Sequence, residues 1–333
     1  MPIPFILGGI AIAAAGYGAK KGYDAYEDYD TADNYNQKAQ NIYDKASSEL
    51  NEARETTNQK FEDLGKLKVS IYEESLADFV DIFSEIKNID FEDKVDIGTD
   101  VNIDYSSMLQ IKNSVIEINE LIGGGLAAAS GGALAGFGAL GGVSMLASAS
   151  TGTAIASLSG VAATNATLAW LGGGSLATGG FGMAGGMAVL GGIVAGPVLA
   201  IGGFLIASKA EEAKYNAYAN FDKAKVASEE MNVAKVVLGG ITLRVDEFHT
   251  LLEPMNKIFE EYINKMRNIV DKSNDYSQYS ENDKKTVMVT ASIAKTIKNV
   301  CDAPIIDEEG TVTRKSKRVM KKANEFMRKL EEV

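Results

Sequence analysis

Cysteine, histidine and tryptophan occur once each in this 333-residue chain, as Cys301, His249 and Trp170, and proline only five times. A single thiol excludes an internal disulfide framework. One imidazole and one thiol are too few for a zinc site without several carboxylates, and no ligand spacing points to one, so His249 and Cys301 are both expected to be structural. The phosphate loop of nucleotide hydrolases, the serine elbow GxSxG, the metalloprotease HExxH and the EF-hand loop are all missing. The run Gly180-Phe-Gly182-Met-Ala-Gly185 matches GxGxxG, but no acidic residue stands about 20 positions later to hold a ribose. Carboxylate pairs such as Glu73 with Glu74 and Glu260 with Glu261 fall on the polar sides of amphipathic helices, as chance allows among 45 acidic residues. The expectation is a protein with no catalytic residues, no metal ligands and no cofactor.

Charge is missing from one region altogether. Between Glu120 and Lys209 lie 88 residues without Asp, Glu, Lys, Arg or His, and 24 of the 34 glycines fall there. A helix needs about 20 apolar residues to span a bilayer, so this length is enough for two to four crossings. Small residues recur at intervals of four, in Gly132 and Gly136, Gly138 and Gly142, Gly182 and Gly186, and Gly192 and Gly196. That spacing lines one helix face and lets backbones approach closely. In water each interior glycine costs about 1 kcal/mol against alanine, so the tract needs lipid or a protein shell around it. Trp170 sits in its middle.

What is present elsewhere is helical periodicity and an uneven charge. The chain carries a net −12, which argues against nucleic acid as a partner. Residues 22–120 carry a net −15 and residues 209–333 a net +1, so the two flanks are complementary.

Five regions follow. Residues 1–21 read as an apolar N-terminal helix, without the basic start of a secretory signal and with Lys20 and Lys21 after it. Residues 22–120 read as an acidic, long amphipathic helix plus a connector. Its stripe is Tyr35, Ala39, Ile42, Ala46, Leu50, Ala53, Thr57, Phe61, Leu64, Ile71, Phe79, Ile82 and Ile86, with Lys68 as a departure. A loop over 88–105, with a short extended piece near Val95 to Ile103, precedes a helix capped by Ser106 or Ser107. Residues 121–208 form the glycine-rich hairpin. Residues 209–270 form a long heptad helix with the seam Met231, Ala234, Leu238, Ile241, Val245, Phe248, Leu252, Met255, Phe259, Tyr262, Met266 and Ile269, bent or loosened at Gly239, Gly240 and Pro254. Residues 271–333 end in a basic helix from about Thr313 to Leu330, whose cations suit either anionic headgroups or the acidic first helix; the acidity of that flank favours the second.

This order of parts resembles the alpha-helical pore-forming toxins of the cytolysin A type, through the layout of Tyr35 to Ile86, Leu121 to Ser208 and Ala217 to Ile269. No residue-level motif is shared. The run from Thr151 to Ala177 also resembles a tract in uncharacterised bacterial proteins of the same layout. The apolar region here is far longer and richer in glycine than in the cytolysins, and no export signal precedes it. The resemblance implies an all-α, elongated helical bundle or coiled coil with a transmembrane-type hairpin. It also implies a pore-forming or membrane-permeabilising protein, a toxin or self-directed defence effector, whose hairpin enters the lipid bilayer and assembles as a homo-oligomer, from a cytoplasmic soluble form or on the membrane. Two other readings stand beside it. One is a constitutive membrane scaffold or signalling protein that meets partner proteins through its coiled coil. The other is a soluble, partner-binding helical protein that keeps the tract as core.

Overall fold

In the computed structural model of the chain, the described residues are 19–91, 101, 103–121, 134, 137–139, 210–306 and 311–331. They are predominantly helical, with two isolated bridges, Lys87 to Asp275 and Ile306 to Val312, and no strand among them. In chain order the elements are α1 (Ala19–Ser70), a π-helical turn (Ile71–Leu76), α2 (Ala77–Glu85), α3 (Tyr105–Leu121), α4 (Ala210–Val270), a 3₁₀ turn (Tyr276–Gln278), α5 (Glu281–Cys301) and α6 (Arg314–Leu330). Most of the glycine-rich tract lies outside the described residues, as do Trp170 and all the zipper glycines except Gly138. Residues 1–18 and most of the extended piece near Val95 lie outside them too.

Local chemistry sets the helix ends. α2 stops where Ile86 turns extended and Asn88 takes φ of 56°, the left-handed region that asparagine tolerates better than most residues. α3 is capped two or three positions earlier than its serines predict, by Asp104. Asp104 Oδ1 accepts from the Ser107 backbone N–H at 2.7 Å and from its hydroxyl, and a carboxylate at this position also faces the positive end of the helix. Ser280 caps α5 by accepting from Asp283 N–H, and Thr313 caps α6 by accepting from Ser316 N–H.

The chain divides into two compact units. One holds Met1–Ser48 with Ala195–Asn232, the other Glu49–Val194 with Val233–Val333. In the first, α1 and α4 meet through Tyr35, whose ring stands edge-on to Tyr218 at 4.4 Å and to Phe221 at 5.3 Å, and through Lys214 to Asp28 at 2.7 Å. In the second, Thr57 and Thr242 share a hydroxyl contact of 2.8 Å, Lys60 bridges Asp246 at 2.9 Å, and Arg267 bridges Asp78. The partners there lie 185 residues apart for Thr57 with Thr242 and 189 apart for Asp78 with Arg267. A near-constant offset means that α1 and α2 run parallel to α4 in this unit. A backbone pair closes the end: Lys87 N–H donates to Asn274 O at 2.7 Å and Tyr276 N–H donates to Lys87 O at 3.0 Å.

The α4 seam is inward as its spacing predicts, with one exchange. From Met231 to Phe259 the seam residues are buried, but Ile263 takes the core place expected of Tyr262, which is half-buried. A branched aliphatic side chain loses nothing by full burial, whereas the tyrosine keeps its hydroxyl wet and receives Lys265 over its ring at 4.3 Å. α4 runs unbroken through Gly239, Gly240 and Pro254.

Among the described residues no helix is long and apolar enough to cross a membrane. α1 and α4 are long, but charged residues recur along both. This finding overturns the expectation of a membrane-inserting, pore-forming or permeabilising protein with a transmembrane-type hairpin.

Candidate functional site

Lys68 falls four residues after Leu64 and three before Ile71, so the helix carries it onto the apolar face of α1. It is wholly buried. Its ammonium donates to the backbone carbonyl of Gly138 at 2.9 Å and lies 5.9 Å from the centre of the Phe248 ring. Burial pulls its pKa down to about 8, against which Cys301 and Asp302 work weakly. The residue that breaks the stripe's chemistry keeps its geometry.

Around it stands a polar knot drawn from three parts of the second unit. Tyr72, in the π turn, donates its hydroxyl to Asp302 Oδ1 at 2.7 Å, and Lys298 donates to Oδ2 of the same carboxylate. A π turn takes in one extra residue and is frequent at functional sites. Burial raises the Tyr72 hydroxyl well above its ordinary value, with Asp302 adding to it. Cys301, also wholly buried, has its thiol pushed up to about 12 by the same loss of water. A thiol held that high is not a nucleophile at neutral pH.

The knot grips the first part of the glycine-rich tract. Leu134, Phe137 and Ala139 are buried; Ile305 N–H donates to Ala139 O at 2.7 Å, and Phe137 meets Tyr72 edge-on at 6.4 Å. The backbones touch. A Cβ added to Gly65 would sit 1.9 Å from Leu134 O, and one added to Gly138 would sit 2.1 Å from Phe61 O, distances no carbon can hold. Of the nine residues singled out for packing, Gly132, Gly136, Gly142, Trp170, Gly182, Gly186, Gly192 and Gly196 lie outside the described residues. Gly138 lies against α1.

Elsewhere an open hollow of about 540 Å³ is lined by Lys60, Asp63, Val245, Asp246, His249 and Thr250. Its lysine and one aspartate are already paired, and His249 turns Nδ1 toward Glu253 at 3.7 Å. Among the described residues no three His, Cys, Asp or Glu side chains converge as metal ligands. Sequence reasoning missed Lys68 and Tyr72 as members of a site. The available signal was a lysine at core spacing, whose partner is a backbone carbonyl and leaves no mark in the side-chain pattern. No protein family model, no curated protein and no solved structure matches the chain.

Proposed function

We propose that the chain is a non-catalytic helical protein that works by associating with other proteins, and that its glycine-rich tract begins as part of its own core. The observation that carries this reading is the Lys68 to Gly138 bond, set between two glycines whose backbones touch α1 or the tract itself. Releasing this segment would strand a buried ammonium and a carbonyl, at a cost of about 1–3 kcal/mol for each unpaired group. The reactive groups of the polar knot, Lys68, Tyr72 and Cys301, are sealed from substrates. What faces water is charge and a few apolar side chains, Tyr105, Leu109 and Ile116 on α3 and Val233, Val236 and Leu243 on α4 among them.

Two measurements on the same sample test it. The protein is expected to elute without detergent as a defined species, and the emission maximum of Trp170 is expected to stay put when liposomes of neutral or anionic lipid are added. A requirement for detergent, or a blue shift on adding vesicles, would overturn the reading.

A further inference from the structure

α6 separates its chemistry by face more completely than any other described helix. Ser316, Met320, Ala323, Phe326 and Leu330 are buried, while Arg314, Lys315, Lys317, Arg318, Lys321 and Lys322 are exposed. None of these six has an ion-pair partner among the described residues. Elsewhere cations are spent within the chain: Lys60, Lys214, Lys235, Arg267 and Lys298 each hold a carboxylate. These six cations thus do not make the pairing with the acidic first helix that the charge balance favours, among the described residues.

We propose that this cationic face docks on a second copy of the chain, against the acidic side of its π turn and α2. This rests on the reading that the protein works by protein association. Glu73, Glu74 and Asp81 are exposed and take part in no ion pair among the described residues. The spacings match. Glu74 and Asp81 stand seven residues apart, from the π turn into α2, and Arg314 with Lys321 and Lys315 with Lys322 stand seven apart in α6, two turns or about 10 Å there. Both carboxylates are exposed, so they are open to these pairs of cations when the helices lie side by side. A nucleic acid offers the same sign of charge; what favours a second copy is that the chain itself carries an exposed acidic patch free to receive the cations. Because the two patches differ, the contact is heterologous, each copy giving one face and receiving on the other.

The test is sedimentation velocity on the full chain from about 1 to 100 μM, a range suited to a small charged interface. Self-association is expected in 50 mM NaCl, with the dissociation constant rising about tenfold or more in 500 mM as salt screens the charges. The variant K317E/R318E/K321E/K322E and the variant E73K/E74K/D81K are each expected to be monomeric alone and to associate when mixed, since each restores the other's lost partner. The neutral variant K317Q/R318Q/K321Q/K322Q, which adds no repulsion, is expected to weaken association while keeping the helical signal and melting temperature. A wild-type chain that is monomeric at low salt throughout this range overturns the proposal. So does association that neither charge reversal alters. A monomer that shifts a 20-base-pair DNA duplex, and loses this with the α6 reversal, also overturns it and assigns the face to nucleic acid. A chain that keeps Trp170 emission constant with vesicles yet stays monomeric sinks this surface without touching the core reading of the tract.

Discussion

Gly65 and Gly138 on one hand, Gly239 and Gly240 on the other, show two uses of the same residue. At the first pair an added methyl would drive into a backbone carbonyl; at the second it would meet nothing within 4 Å. Both pairs sit in helical stretches, where glycine costs roughly 1 kcal/mol against alanine. The first pair gives something in return, a backbone-to-backbone approach that seats Leu134 to Ala139 against α1. The second has no such return inside the chain. Glycine in a helix is therefore informative only with its surroundings, and the surroundings differ completely between these two places.

The comparison breaks most readily at Gly138. Gly138→Ala is expected to destabilise the protein by about 3 kcal/mol, the upper end of ordinary overpacking costs, read as a lowered urea midpoint at an unchanged slope. A cost near zero would show that the tract does not lean on α1. Lys68 sharpens the same contact through pH. Its pKa is lowered by folding, so between its folded value of about 8 and its ordinary 10.5 the unfolded chain binds more protons, and stability rises with pH. Above about 9 the unfolded Cys301 thiol ionises while the folded one stays protonated, and stability falls for that group. The clean window is pH 8 to 9, where the wild type is expected to gain about 1 kcal/mol and Lys68→Met is expected to lose that gain. Parallel pH profiles for the two would remove Lys68 from the core. The smallest effect belongs to the open pair: Gly239→Ala and Gly240→Ala are each expected to stabilise by somewhat under 1 kcal/mol, seen as a small rise in melting temperature. Loss of stability there would mean that a neighbour fills the space.

The helices were legible because their signals are local. The α4 seam repeats in steps of three and four, and Thr313 stands where a cap is needed, so α6 begins where its sequence places it. Asp104 was overlooked as a cap because two serines beside it offered the same chemistry. The candidate site was legible only in part. Cys301, expected from its solitude to be structural, is wholly buried. Lys68 reads as a flaw in a stripe, since what satisfies it is a carbonyl 70 residues away. The charge balance of the flanks pointed to the right pair of regions, and bridges to the acidic flank come from Lys214, Lys235 and Arg267 on α4.

The π turn at Ile71–Leu76 carries a consequence for everything after it. One surplus residue in a helix re-aims all that follows by about 100°, the angle between successive residues at 3.6 per turn. Before the turn, Lys68 and the Phe61 carbonyl meet the glycine segment while Thr57 and Lys60 meet α4; after it, Phe79 still meets Phe259 of α4. The stagger acts as a swivel fixed in the backbone, and the hydroxyl of Tyr72 reaches Asp302 from the place where the rotation occurs. Trimming that one residue would straighten the thread and turn Phe79 away from Phe259.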